Sequence, residues 1–270
     1  PILRTMIPAE WIAARRRTML VFYRNKEKNT TEKFAIARYA VGTEIAAAWD
    51  VAAFPNQWDA LAALLRKLNP NKIGINTSAD YGHADGLDHT EYLEFMQSLS
   101  ASEQAKVVSA EPLGVSWLET RTEKEMQLYP SILNITHAII KEGFSNKVIK
   151  PNVTTSQDLV WWFRQKLSDI GLITWFHPSI EIQRRVSNEK DDVIRPGDFL
   201  HVDFGITYLR LNSDVQEHAY VLGPDEREAP SYLNNGLKTA NRLQDIITQQ
   251  FKENKTGNKI LSDALAQAKQ

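Results

Sequence analysis

The sequence predicts an α+β chain in which an α/β amino-terminal module, residues 1–115, precedes a second domain over 116–270. Two observations carry that division. Over the first stretch strand-like and helical patterns alternate, whereas the second stretch gathers three strand candidates between helices. A third observation sets the scale: with 43% hydrophobic and 24% charged residues over 270 positions, the chain is an ordinary globular one, long enough for two cores.

The elements follow in order. An amphipathic helix is expected over 9–24, opening after Pro8, and a strand over 33–41, while 45–53 fits either state. Apolar residues at helical spacing predict a helix over Gln57–Leu68 that stops before Asn69 and Pro70, and 72–76 reads as a short strand. Helical stretches over 90–99 and 102–107 lead to a boundary around 110–116. Thr122 and Glu125 are then spaced as a capping box, opening a helix towards Lys141 with Gly143 near its end and a kink expected at Pro130. Thr155 and Asp158 repeat the box ahead of Leu159, Trp162, Phe163 and Leu167, which recur as a core-facing stripe with Trp161 at its margin. Strands are expected over 179–184, 198–208 and 214–222, and helices over 230–251 and 258–268.

The chemistry concentrates in RPGDFLHVDFGITYLRLNSDVQEHAYVL, residues 195–222. By strand alternation Phe199, His201, Asp203, Gly205 and Thr207 share one face, while Leu200, Val202, Phe204 and Ile206 share the other. On the next strand Asp214, Gln216, His218 and Tyr220 share a face. Pairing about Tyr208 and Leu209 places Asp203 directly opposite Asp214, with Cβ atoms about 4.5–5.5 Å apart, where like charges repel. A shared proton, an arginine or lysine, or a metal ion can compensate. Leu209 and Arg210 lack the Gly or Asn that a tight primed turn favours, so a longer loop or a bulge is expected.

Each aspartate could instead accept bonds from turn amides or pair with Arg184, Arg185 or Arg210. Asp-Phe-Gly also holds magnesium in kinases, but no Gly-rich loop, Val-Ala-Ile-Lys or His-Arg-Asp accompanies it. His201 and His218 lie on the aspartate face, yet a half-buried strand histidine ordinarily bonds to its neighbours, and that role is expected for both. His83, His89 and His137 lack ligand spacing and read as surface or capping residues. Arg15, Arg16 and Arg17 form the one dense basic run, read as a solvated helix face.

Gly-Asp-Phe-Leu-His-Val-Asp-Phe-Gly followed by Asn-Ser-Asp, with aspartates eleven residues apart, resembles the pita-bread metallopeptidases: methionine aminopeptidase, aminopeptidase P and prolidase. The likeness extends upstream through ETRTEKEMQLYPSILNITHAI and downstream to TGNKILSDALAQAK. It implies the first part of a pita-bread domain over 116–270, preceded by the amino-terminal α/β domain that the proline peptidases of that family carry. It also implies two divalent ions, held by two aspartates, a histidine and two glutamates. Asp203 matches the aspartate that chelates one ion and Asp214 the one that bridges both. The other ligands, and the proton-shuttling glutamate, are expected beyond Gln270, so the chain is read as a fragment, inactive alone. The family's substrate-contacting histidine upstream of the Pro-Gly-Asp turn has no counterpart, since residues 182–186 read IQRRV and His177 lies too far upstream.

The implied activity is that of an Xaa-Pro aminopeptidase or dipeptidase acting through metal-activated water on a proline-containing peptide, with homodimerisation compatible. A non-catalytic peptide- or protein-binding module, or a metal-free creatinase-like C–N hydrolase, are the alternatives. Composition bounds the rest. A net charge of −1 gives no global field for nucleic acid or an anionic membrane. No apolar run is long enough for a span and no signal peptide is visible, so a soluble chain is expected, cytoplasmic rather than periplasmic or secreted. Zero cysteines exclude thiolate ligands, leaving oxygen and nitrogen donors suited to manganese, cobalt, iron or zinc.

Overall fold

The computed structural model describes residues 18–37, 50–53, 57–184 and 191–269. The chain divides into two compact units, with the division in sequence between Arg121 and Thr122.

In the first unit, strands β1 (Thr18–Asn25) and β2 (Thr30–Ala37) form an antiparallel hairpin, and β3 (Asp50–Ala53) adds parallel to β2. The helix expected over 9–24 is therefore corrected where it is described. Residues 18–24 are strand, because Val21, Phe22 and Tyr23 favour extended backbone and residues 19–23 find a partner in residues 32–36. Residues 9–17, with Arg15, Arg16 and Arg17, lie outside the described residues, as do 38–41 of the next expected strand.

Helix α1 (Gln57–Leu68) has the expected bounds. It buries Ala60, Leu61, Ala62 and Leu65 against Ile36, Ile73, Phe95 and Leu99. Strands β4 (Ile73–Ile75) and β5 (Val107–Ser109) pair in parallel, separated in sequence by α2 (His89–Ser98) and α3 (Ala101–Gln104). The helix expected over 102–107 thus ends early, since Val107 is drawn into the ladder with Ile73. Residues 111–116 belong to α4 (Glu111–Glu119), with Ala110 as its N-cap.

The second unit opens with α5 (Glu123–Gly143), capped by the reciprocal Thr122–Glu125 box and continuing as helix through Pro130. Helix α6 (Ser156–Asp169) carries the same box between Thr155 and Asp158. A three-stranded antiparallel sheet follows, ordered β10 (Val215–Tyr220), β7 (Phe199–Phe204), β6 (Ser179–Gln183). The short strands β8 (Thr207–Tyr208) and β9 (Leu211–Asn212) prolong the β7–β10 hairpin to its tip. Helices α7 (Ser231–Gln249) and α8 (Gly257–Ala268) complete the unit.

The alternation of β7 decides its packing. Leu200, Val202, Phe204 and Ile206 are fully buried against Ile132, Ile139 and Ile140 of α5 and Leu159, Phe163 and Leu167 of α6. The Phe163 and Phe204 rings lie 4.8 Å apart between centroids. Trp162 packs at the edge of this core while Trp161 is exposed beneath the Arg164 guanidinium, as the helical stripe predicts. With its apolar side taken by two helices, the sheet turns its polar side outward.

Candidate metal centre

The polar side carries Ser179, Glu181 and Gln183 from β6, Phe199, His201 and Asp203 from β7, and Gln216, His218 and Tyr220 from β10. The cross-strand register differs from the one expected. Asp203 faces Gln216 on one side and Ser179 on the other, not Asp214. The cause lies at the hairpin tip. Leu209 and Arg210 both adopt left-handed backbone, φ 49° and 66°, between the paired Tyr208 and Leu211. This is the tight two-residue geometry whose twist matches the strands, formed here without Gly or Asn at a cost of roughly 1–2 kcal/mol per residue. The expected longer loop is therefore absent. Because the slip is even, both aspartates stay on the same face, with Asp214 two residues nearer the tip than Gln216, the partner of Asp203.

The two carboxylates remain electrostatically coupled. Asp203 is held above the usual carboxylate range first by burial, then by the charge of Asp214 and by hydrogen bonding with it; Glu181 adds a smaller push in the same direction. Its Oδ1 is buried and bonds to nothing. A buried, unpaired carboxylate oxygen is costly and calls for a positive partner.

Arg184 does not supply it. Its guanidinium is committed to the far end of β7, where Nε and Nη2 grip Asp198 at 2.8 and 2.9 Å and Nη1 reaches Asp191 at 3.2 Å. That clamp raises the Arg184 pKa further, chiefly through the Asp198 bonds. Arg185 lies outside the described residues.

Beside Asp203, His201 Nε2 bonds Gln216 Oε1 at 3.0 Å, and Nδ1 lies 3.7 Å from Glu181 Oε2. His218 stacks on Phe199, 5.0 Å between centroids and 12° between planes, with the His201 ring another 5.0 Å away. Burial, then His201, pulls its pKa down. His201 is thus bonded to its neighbours, as expected, whereas His218 meets its neighbours through ring contacts. His83 and His89 are exposed, and His137 pairs with Glu217 at 3.0 Å. From β6 no imidazole faces Asp203; Ser179 stands there, and the exposed His177 precedes the strand. Among the described residues no three His, Asp or Glu side chains converge to hold a metal ion. Asp203 and Asp214 thus bring two carboxylates together without a third converging donor among the described residues, and the Asp203 Oδ1 has no hydrogen-bond partner.

Sequence reasoning missed the groups beneath Asp214. Ser213 and Thr136 are both fully buried, and their hydroxyls meet at 2.7 Å. Trp175 Nε1 donates to the Ser213 carbonyl at 2.8 Å. The one available signal was Ser213 itself, a polar residue at a core-facing position between Leu211 and Val215.

No family model matches the sequence, nor does any curated protein. Solved structures do. The X-Pro aminopeptidase from Thermotoga maritima MSB8 aligns over 92% of this chain and 74% of its own, with a TM-score of 0.59 at 12% identity. The Xaa-Pro dipeptidase from Bacillus anthracis aligns over 92% of this chain and 65% of its own, with a TM-score of 0.50 at 17% identity. The fold is that of the pita-bread peptidases. A zinc-substituted aminopeptidase P from E. coli, in complex with product, aligns over 86% of this chain but only 54% of its own, with a TM-score of 0.54 at 12% identity. The pita-bread likeness therefore spans most of this chain and about half to three quarters of those structures. Among the described residues no helix is long and apolar enough to cross a membrane.

Proposed function

We propose that this chain carries the first two ligands of a dinuclear metal-dependent peptidase of the Xaa-Pro aminopeptidase or dipeptidase type. The supporting observation is the buried, unpartnered Oδ1 of Asp203, crowded by Asp214 and left without the arginine that neutralises Asp198. Asp203 would chelate one divalent ion, manganese, cobalt, zinc or iron, and Asp214 would bridge it to a second. Bound divalent ions supply an activated water and neutralise charge developing on a peptide carbonyl. The sheet's own part is to hold both carboxylates on one rigid face, with its far side anchored by α5 and α6. Aminopeptidase P and dipeptidase activities belong to the structural neighbours and come to this chain as part of the proposal, as does a proline-containing peptide substrate.

A second reading, a non-catalytic pita-bread module that binds peptides, is favoured by Ser179 standing across from Asp203 where no imidazole is offered. Titration with Mn²⁺ separates the two. Binding that Asp203→Asn and Asp214→Asn each abolish supports the metal centre; no binding of Mn²⁺, Co²⁺ or Zn²⁺ leaves the module. The 270-residue chain on its own is expected to hydrolyse no Xaa-Pro dipeptide, because Asp203 and Asp214 together can hold one ion but not a metal pair. Turnover that disappears in Asp214→Ala would overturn that expectation.

A further inference from the structure

Resting on the reading of Asp214 as a metal ligand, we infer that Thr136, Ser213 and Trp175 are positioning residues that fix the peptide bearing Asp214 and so aim its carboxylate at Asp203. In a regular antiparallel pair, residues exchanging hydrogen bonds do so through both N–H and both C=O groups. At the rung of Ile206 and Ser213 only half survives: Ser213 N–H donates to the Ile206 carbonyl at 2.9 Å. The Ile206 N–H donates instead to Ser213 Oγ at 2.9 Å. The Ser213 carbonyl is thereby released, and it accepts from the Trp175 indole at 2.8 Å. The Ser213–Asp214 peptide is thus turned off the ladder and pinned in its new orientation.

Three features show that this arrangement is built. Ser213 Oγ, having accepted from Ile206, is held from the other side by Thr136 Oγ1 at 2.7 Å, and Thr136 Oγ1 also bonds the Ile132 carbonyl of α5 at 2.9 Å. Ser213 Oγ is the acceptor of the buried Ile206 N–H, so an apolar residue at 213 would orphan that donor, and the Thr136 hydroxyl in turn holds Ser213 Oγ in place to receive it. Finally, a Cβ on Gly205 would come within 2.0 Å of the Ser213 carbonyl oxygen and 2.9 Å of the Phe176 ring, so only glycine leaves the turned carbonyl room. Because partners behind a ligand set its orientation, their loss ordinarily weakens metal binding by about 10–100-fold.

The test uses Thr136→Val, which keeps shape and removes the hydroxyl, Thr136→Ser, which restores it, and Trp175→Phe, which removes the indole donor at a half-exposed position. Mn²⁺ titration of the full chain is expected to show affinity about tenfold weaker in Thr136→Val and Trp175→Phe and recovered in Thr136→Ser. Crystal structures of the metal-free variants are expected to show the Asp214 carboxylate swung away from Asp203. Unchanged Mn²⁺ affinity, or an unmoved carboxylate, in both Thr136→Val and Trp175→Phe overturns the inference. Should the unaltered chain bind no Mn²⁺ at all, the metal reading itself fails, and the carboxylate position in the metal-free crystals still decides whether these residues aim it. Trp175→Phe lies outside the core, so it keeps the test alive if Thr136→Val does not fold.

Discussion

Strand β7 has an acidic cluster at each end, and the two are treated in opposite ways. At its start, Asp198 is 1% exposed and fully answered: Arg184 grips both its oxygens, and the Arg195 backbone N–H donates to Oδ2 at 2.7 Å. Near its end, about 16 Å along the strand, Asp203 has a like charge beside it and a buried oxygen with no partner. One sheet therefore contains a carboxylate that completes a structural clamp and a carboxylate whose compensation must come from elsewhere. A buried acid with satisfied bonds argues for folding; one left unsatisfied beside another acid argues for a ligand.

The strongest way to break this contrast is to unpair the satisfied end. Arg184→Met leaves Asp198 buried without its guanidinium partner, and is expected to cost about 3–5 kcal/mol in chemical denaturation. A loss below about 1 kcal/mol would mean that water reaches Asp198 and that the clamp is not what holds it. At the other end the sign reverses. Asp203→Asn removes one of two like charges, so the metal-free chain is expected to gain about 0.5–1 kcal/mol while losing its response to Mn²⁺. Destabilisation of the metal-free chain by Asp203→Asn would mean that attraction to His201 outweighs the repulsion from Asp214.

What the sequence made legible follows the same division. Strong local signals survived: both capping boxes, the Gln57–Leu68 helix, the Leu159–Leu167 stripe and the alternation that puts both aspartates on one face. What failed depended on distant partners. The 18–24 stretch has an apolar content that a helix could also bury, and only its pairing with residues 31–37 makes it a strand. The register slipped because Leu209 and Arg210 adopt a conformation their residue types disfavour, imposed by the strands on either side. The Arg184–Asp198 clamp and the Thr136–Ser213 contact join residues 14 and 77 positions apart, and no local pattern announces either.

The smallest expected effect lies at the rim of the satisfied cluster. Asp191 bonds Arg195 at 2.6 and 2.5 Å and Arg184 at 3.2 Å, and these bonds, Arg195 first, hold its pKa below the usual carboxylate range. Folding therefore favours its ionised form. The stabilisation is present above the unfolded value, about 3.9, and is lost as pH falls through the lower folded value. Its side chain is 40% exposed, so solvent screens the pair and the contribution stays small. Asp191→Asn is expected to melt slightly below the unaltered chain at pH 6, with the gap closing as both are acidified towards pH 2. A gap that persists unchanged through that range would assign the loss to the amide's poorer fit between the two guanidinium groups, and the arginine end of β7 would then be held by shape more than by charge.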